Sequence, residues 1–192
     1  MSIINLNLKE GTKGIWSLSK FTITQHEAEM HMLRCIVNGC PSRSVLPGTY
    51  WKLKENNTVY MTNTPAEVKD HMKFIREAHG NVLIAGLGLG MVVQALLDRG
   101  NCEHITVVEL SQDVIDLVGP CYTDPRIEIV QSDIFKFKPE MHYDYGWFDI
   151  WPNICADNFP QMQKLHRKFA KHIDKRMSWC YKECRQMCKE DW

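Results

Sequence analysis

Apolar residues divide the chain into an N-terminal part and a longer part in which apolar runs alternate with amphipathic stretches. The apolar run Val82–Ala85 predicts a buried strand, and the glycines after it open a helix predicted from about Met91 to Arg99. Gly100 is predicted to end that helix, because glycine readily adopts the left-handed conformation found after a helix end. Three further strands are predicted at His104–Leu110, Arg126–Ser132 and Tyr145–Ile150. This alternation predicts an α/β fold, a Rossmann-like parallel sheet with helices on both faces.

Capping signals predict two more helices in this longer part. Thr64, Pro65 and Glu67 combine a cap, a proline at the first helical position and an acid at the third, so a helix should run to about Ala78. Ser111 is a suitable cap for a short helix over Gln112–Val118. Both helices begin directly after, or lead directly into, a predicted strand.

The first 62 residues predict a small module of strands and one helix. Trp16–Ile23 alternates like a half-buried strand, and Thr24 with Glu27 forms a capping box that predicts a helix to about Val37. Thr49–Lys54 and Thr58–Thr62 are predicted to pair as a hairpin around Asn56 and Asn57. We therefore expect a strand, helix and hairpin module at 1–62, followed by a ligand-binding core at 63–157.

Residues 158–192 are predicted to be a helical tail. One helix should run from Asn158 to about His172, and Ser178 should cap another that reaches about Lys189. This region has no run of alternating apolar residues, so the sheet is predicted to be shortened after its fourth strand. That strand would then form an edge unless a helix, the N-terminal module or a second subunit covers it, which leaves a homodimer open.

Composition narrows the function classes. Lys plus Arg and Asp plus Glu both number 23, and this balance argues against a nucleic-acid partner, which would favour a basic surface. Residues 1–8 lack a basic segment and a long apolar core, so neither a signal peptide nor a membrane span is predicted. Eight cysteines without an export signal are typical of reduced thiols, and a cytoplasmic protein is expected.

Alternating glycines after the first core strand predict a site for a nucleotide-like ligand. Gly86, Gly88 and Gly90 free the turn of side chains, and the helix behind them offers unpaired N–H groups. The dinucleotide fingerprint would require its third glycine at position 91, which is Met91. The next three predicted strands end at acidic residues, Glu109, Asp133 and Asp149. Open α/β sheets bind ligands at this edge, and a carboxylate at Glu109 can accept from both hydroxyls of a ribose.

With these motifs, residues 58 to 152 resemble a class I S-adenosylmethionine (SAM)-dependent methyltransferase of the spermidine synthase-like branch. The likeness rests on five segments: Ala85–Gly90, Val107–Leu110, Asp124–Ile127, Gln131–Ile134 and Trp147–Ile150. The lead-in Tyr60–His71 is also similar to that branch. The resemblance implies SAM as cofactor. It also implies that the residues holding SAM are Ala85, Gly86, Leu87, Gly88, Gly90, Glu109, Leu110, Asp133, Ile134 and Asp149.

Asp149 is the candidate catalytic residue, because it would face the reactive end of the cofactor. It could orient or deprotonate an acceptor amine or hydroxyl, or instead cap its strand or hold the cofactor amino group. Trp151, Tyr60 and His71 are candidates for contact with the acceptor, although Trp151 could be a core or lid residue and His71 structural. The resembling aminopropyltransferases carry a second acid three residues after the first, where this chain has Pro152.

Two features near the C-terminus, a row of cysteines and a basic segment, each have a structural explanation as well as a functional one. Cys180, Cys184 and Cys188 lie on one helix face, and a zinc site would need further ligands such as Cys155 or His166; buried thiols explain the row better, and no metal is expected. The basic residues between Lys164 and Arg176 fit a solvated helix face. The sequence thus predicts a methyltransferase with an unidentified small or macromolecular acceptor. An aminopropyltransferase and a SAM-binding protein without transfer activity are the alternatives.

Overall fold

The computed structural model describes residues 4–39 and 43–190. Its N-terminal part contains β1 (Gly11–Lys13), β2 (Trp16–Ile23), α1 (Gln25–Val37), β3 (Gly48–Glu55) and β4 (Thr58–Thr62). The remainder contains α2 (Pro65–Glu77), β5 (Gly80–Ala85), α3 (Met91–Arg99), β6 (Cys102–Glu109), α4 (Gln112–Val118), β7 (Ile127–Gln131), β8 (Tyr143–Phe148), α5 (Asn158–Lys168), β9 (Ile173–Ser178) and α6 (Tyr181–Glu190). A short 3₁₀ turn, Gly119–Cys121, follows α4.

Two sheets organise these elements. The N-terminal sheet is antiparallel with the order β1-β2-β3-β4, and the larger sheet is parallel with the order β7-β6-β5-β8-β9. Alternate residues of the central strand β5 point to opposite faces of the parallel sheet. Val82 and Ile84 pack with α2, α3, α4 and the N-terminal sheet, whereas Leu83 and Ala85 pack with α5 and α6. The predicted α/β fold with helices on both faces is confirmed.

The prediction that no strand follows the fourth core strand is wrong. β9 pairs in parallel with β8, from Tyr143 opposite Ile173 to Phe148 opposite Ser178, so the segment 158–192 is not purely helical. Only Ile173 and Ser178 of β9 are buried, because an edge strand presents most of its residues to solvent. The apolar alternation that marks a strand is therefore missing from its sequence. Ser178 ends this strand instead of capping a helix, and α5 ends at Lys168.

The N-terminal module is larger than the predicted strand and hairpin, because the short strand β1 adds a fourth member to the sheet. The capping box at the start of α1 is confirmed: the Glu27 N–H donates to Thr24 Oγ1, and the Thr24 N–H donates to Glu27 Oε2. The hairpin turn at Asn56 is confirmed as well, with a left-handed φ of 52°. None of the helices within the described ranges combines the length and the apolar character needed to cross a membrane.

Candidate functional site

The glycine turn after β5 is shaped by close contacts with neighbouring segments. Gly86 has φ +94°, and a Cβ there would lie 2.2 Å from the carbonyl oxygen of Asp149. Gly90, at the start of α3, has φ +69°, and a Cβ there would lie 2.2 Å from the Tyr122 hydroxyl. Because a side chain at either position would collide with protein atoms, glycine is required to hold this turn against β8 and the residues after α4. The predicted turn and the helix behind it, α3, are confirmed.

A cavity of about 660 Å³ opens over this turn, at the carboxyl ends of the parallel strands. Eleven of the predicted site residues line it: Tyr60, His71, Gly86, Leu87, Gly88, Glu109, Leu110, Asp133, Ile134, Asp149 and Trp151. Ala85 and Gly90 lie outside the lining. The Ala85 side chain is fully buried, and its carbonyl accepts a hydrogen bond from the Asp149 N–H at 3.0 Å. Both residues thus contribute by shaping the turn.

Glu109, at the end of β6, holds two backbone segments together at one end of the cavity. Its Oε2 accepts from the Leu87 N–H at 2.8 Å, and its Oε1 accepts from the Ser111 N–H at 2.8 Å. A carboxylate has about four acceptor positions, so each oxygen keeps capacity for a further donor. Glu109 therefore fixes the glycine turn relative to the start of α4 and can still accept hydrogen bonds from a ligand.

The residues after β7 form the rest of this end, which we call the cofactor end because the sequence analysis predicts the cofactor there. Asp133 Oδ1 accepts from the Phe135 N–H at 2.8 Å, so the loop bends back on the carboxylate. Ile134 is buried, whereas Leu110 is largely exposed at the rim. The cofactor end thus combines a bare turn, two carboxylates held by backbone N–H groups, and an apolar wall.

Asp149 and His71 face each other in the other part of the cavity, which we call the acceptor end because the sequence analysis predicts contacts with an acceptor there. His71 lies on α2 and is fully buried; its Nδ1 is 3.7 Å from Asp149 Oδ2 and has no hydrogen-bond partner. Burial lowers the pKa of His71 to about 4, so the ring is neutral at pH 7. Burial, together with the charge of Glu67, raises the pKa of Asp149 to about 7. This carboxyl group can therefore both take and release a proton near neutral pH.

Three charged residues at the acceptor end were missed by the sequence analysis. Glu67 and Asp70 of α2 line the cavity beside Asp149, and Arg43 Nη1 lies 2.5 Å from Asp70 Oδ2. Burial raises the pKa of both carboxyl groups. Glu67 was assigned to helix capping, but its carboxylate accepts from the N–H and hydroxyl of Thr62, and Thr64 makes no side-chain cap. The sequence shows that Glu67 and Asp70 are three residues apart and so share one face of a helix. It does not show that this face of α2 would line the cavity.

The two aromatic candidates have structural partners that the sequence did not reveal. The Tyr60 hydroxyl donates to the Ile150 carbonyl at 3.2 Å, and burial raises its pKa to about 12. Trp151 is buried among apolar residues near α5, and its Nε1 donates to Gln161 Oε1 at 3.1 Å. Both rings form walls of the cavity. Trp151 is thus a core residue with one exposed edge toward the site.

The C-terminal cysteine row is divided by its surroundings. Cys184 is buried, whereas Cys180 and Cys188 are partly exposed, and burial raises the pKa of Cys180 to about 12. Cys155, which the sequence analysis named as a further ligand for a zinc site, donates a hydrogen bond from its thiol to Asn158 Oδ1. Within residues 4–39 and 43–190, no group of three or more His, Cys, Asp or Glu side chains is arranged to hold a metal ion.

Comparisons with known proteins find similarity in solved structures alone: no known protein family matches the sequence, and no curated protein does. The N-methyltransferase NodS from Bradyrhizobium japonicum WM9, in complex with S-adenosyl-L-homocysteine, is 19% identical over 57% of each chain, with a TM-score of 0.46. The DhpI-SAM-HEP complex is 19% identical over 56% of this chain and 49% of that one, with a TM-score of 0.45. The CcbJ methyltransferase from Streptomyces caelestis is 21% identical over 57% of this chain and 45% of that one, with a TM-score of 0.44.

This chain thus spans about half the length of the solved structures that it matches. At these identities and TM-scores, its function has to follow from the geometry of its own site.

Proposed function

We propose that this chain is a SAM-dependent methyltransferase whose acceptor is an amine. One observation carries the proposal: Asp149 belongs to both ends of the cavity. Its N–H donates to Ala85 and its carbonyl oxygen packs against Gly86, while its side chain faces His71. A ligand lying on the glycine turn would therefore reach a carboxyl group whose pKa of about 7 suits it for proton transfer near neutral pH.

The cofactor end fits an adenosyl ligand. The whole cavity, about 660 Å³, falls within the range of small-molecule sites, and Gly86 and Gly88 are among the residues that line it. Glu109 has free acceptor capacity for ribose hydroxyls, and Asp133 has it for an exocyclic amine. When bound, SAM supplies a methyl group on a positively charged sulfur. The carboxylates of the lining favour that charge.

The charge of the lining favours a cationic acceptor. Six acidic residues line the cavity: Glu55, Glu67, Asp70, Glu109, Asp133 and Asp149. Within the described part of the chain, Arg43 is the only lysine or arginine among the lining residues, and it is already paired with Asp70. An anionic acceptor would be repelled here, whereas an ammonium group would find several carboxylates.

Amine methylation needs a neutral nitrogen, because only its lone pair can form the new N–C bond. An amine enters this site as an ammonium ion and must lose one proton. Asp149 can accept that proton near pH 7, because its pKa is raised to about 7. His71 stays neutral, and its unpartnered Nδ1 can accept a hydrogen bond from the ammonium group or from protonated Asp149. The residues thus hold and deprotonate the amine inside the cavity.

The test is transfer of labelled methyl from SAM to a panel of small amines, carboxylates, nucleic acids and proteins. We expect transfer to an amine, and we expect Asp149→Asn to lower kcat by about 10²- to 10⁴-fold, the usual contribution of a general base. Asp174→Asn, an exposed carboxylate on β9, should leave kcat unchanged. Transfer only to non-amine acceptors, or full activity in Asp149→Asn, would contradict the proposal.

A second candidate is aminopropyl transfer from decarboxylated SAM, the reaction of the spermidine synthase-like branch. The absence of an acid at Pro152 argues against it, but Glu67 and Asp70 bring two carboxylates to the cavity from α2 instead. Incubation with decarboxylated SAM and putrescine separates the two reactions, because only an aminopropyltransferase releases spermidine. Tight SAM binding without transfer to any acceptor would favour the third alternative, a SAM-binding protein without catalysis.

A further inference from the structure

The helix α1 has an apolar face that nothing in the described part of the chain covers. Of the ten large hydrophobic side chains that are exposed in residues 4–39 and 43–190, five lie on α1. These are Met30, Met32, Leu33, Ile36 and Val37. Ala28 and Cys35 are the buried residues of the helix, with His31 half-buried beside them. A helix of 13 residues is marginal in water without packing, so a partner surface for this face is expected.

Three of these five residues, Met30, Leu33 and Val37, form a seam on the side of α1 opposite to its buried side. His26, Met30, Leu33 and Val37 recur at intervals of four, three and four residues, which brings them to one face of a helix. This is the a and d spacing of a coiled coil: Met30 and Val37 take a, and His26 and Leu33 take d. A β-branched residue at a and leucine at d favour two parallel strands, and Val37 and Leu33 follow that rule.

The charges beside the seam match the same arrangement. Glu29 precedes Met30 and takes position g, and Arg34 follows Leu33 and takes position e; both are exposed. In a parallel pair of helices, a g residue faces the e residue five positions later on the partner, so each Glu29 would meet the Arg34 of the other copy. In an antiparallel pair, position g of one helix faces position g of the other, and position e faces position e. Glu29 and Arg34 would then not meet.

We propose that α1 is a dimerisation arm that pairs in parallel with α1 of a second copy of this chain. The seam Met30–Leu33–Val37 forms its apolar centre, and two Glu29–Arg34 pairs flank it. Because the buried residues Ala28 and Cys35 lie on the side of α1 opposite to the seam, the two bodies would lie on opposite sides of the helix pair. This inference does not depend on the proposed methyl transfer.

The first test is sedimentation velocity of the full chain over a range of concentrations. A two-turn seam is smaller than a standard interface, so the mass should rise from 22.4 kDa toward twice that value between about 5 and 300 μM. Leu33→Glu should weaken dimerisation at least about tenfold, because it brings two carboxylates together in the seam. Val59→Glu, at a similarly exposed apolar position on β4, should leave the equilibrium unchanged. A monomer at all concentrations, or a dimer indifferent to Leu33→Glu, would overturn the proposal.

Charge reversal and cross-linking test the parallel register. Glu29→Lys should weaken the dimer by about two- to fivefold, and adding Arg34→Glu should restore it, because the opposite charges face each other again. Under mild oxidation, Leu33→Cys should cross-link two copies, since parallel pairing brings each residue 33 against its counterpart. Met32→Cys, which points away from the seam, should not exceed the wild-type background. Failure of the double variant to recover, or equal cross-linking at both positions, would exclude this register.

Discussion

The two ends of the cavity differ in how their carboxylates are stabilised. At the cofactor end, Glu109 and Asp133 accept backbone N–H groups of their own or neighbouring loops, so their charges are stabilised by fixed donors. At the acceptor end, burial raises the pKa of Glu67, Asp70 and Asp149, and one arginine accompanies them. The first end is organised before a ligand arrives, whereas the second keeps unbalanced negative charge. An incoming cation can therefore stabilise the acceptor end more than the cofactor end.

The largest effect on stability should come from Gly86, which packs against Asp149 between the two ends of the cavity. Gly86→Ala puts a Cβ 2.2 Å from the Asp149 carbonyl oxygen at a left-handed φ, so the free energy of unfolding should fall by about 3 kcal/mol or more. Urea denaturation measures this change. Gly100→Ala is the matched control: its φ is also left-handed, but nothing lies within 4 Å, and it should cost about 1 kcal/mol. Equal losses would mean that contact with Asp149 does not shape the turn.

The cofactor end alone should respond to Glu109→Gln. One side-chain oxygen becomes an amide NH₂ that faces a backbone N–H, so SAM affinity should fall by about 10- to 100-fold, or roughly 1–3 kcal/mol. Isothermal titration calorimetry measures the affinity. Glu128→Gln, on the neighbouring strand β7 and exposed, should bind SAM like the wild type. An unchanged affinity in Glu109→Gln would remove Glu109 from the cofactor site.

The buried charge at the acceptor end should appear in the pH dependence of stability. The pKa of Asp149 is about 7 in the folded protein against an ordinary 3.8, so the folded state binds the extra proton between these values. Its contribution to the free energy of unfolding therefore falls as pH rises through this window. His71 acts in the opposite direction, because its pKa is about 4 when folded against 6.5 ordinarily, and its contribution is lost as pH falls below 6.5.

Asp149→Asn isolates the first of these two contributions. Relative to the wild type, this variant should gain about 1–3 kcal/mol of stability between pH 5 and pH 8, because only the wild type must bury an ionised group. Denaturation curves at the two pH values measure the difference. Asp174→Asn, at an exposed carboxylate, should track the wild type at both. If the free energy of unfolding of Asp149→Asn changes with pH in the same way as that of the wild type, the ionised Asp149 carboxylate does not destabilise the folded protein.

Glu67→Gln should separate acceptor binding from cofactor binding. The amide keeps the size of the side chain but removes a negative charge beside Asp149, so the KM for an amine should rise about tenfold, the effect of losing one charge-assisted hydrogen bond. SAM affinity should change by less than about twofold, since the hydrogen bonds of Glu67 go to Thr62 and not to the residues of the cofactor end. Glu77→Gln, at the far end of α2 and paired with Lys175, serves as the control. Loss of SAM binding in Glu67→Gln would mean that the two ends are not independent.

The smallest effect should come from Trp151→Phe. The ring stays apolar and packed, and only the hydrogen bond to Gln161 is lost, so stability should fall by less than about 1.5 kcal/mol. SAM affinity should be unchanged by calorimetry. A large rise in the KM of one acceptor would instead identify the indole as a stacking surface for that acceptor.

The sequence by itself determined the elements whose signals are local. The strand β5, the glycine turn, the capping box of Thr24 and Glu27 and the hairpin turn at Asn56 were all predicted, because a short run of residues decides each conformation. The acids that follow successive strands were also predictable, because parallel strands bring their carboxyl ends to one edge. Thus Glu109, Asp133 and Asp149 could be placed around one cavity before the fold was known.

Only the tertiary structure decided the features that depend on neighbours distant in sequence. β9 is a strand because β8 offers it a free edge, and its own residues carry too little apolar alternation to announce this. Glu67 and Asp70 reach the cavity because α2 packs beside β8, and the pKa of Asp149 is raised by that packing. Burial and proximity are properties of the assembled chain, so no pattern along the sequence could have fixed the chemistry of the acceptor end.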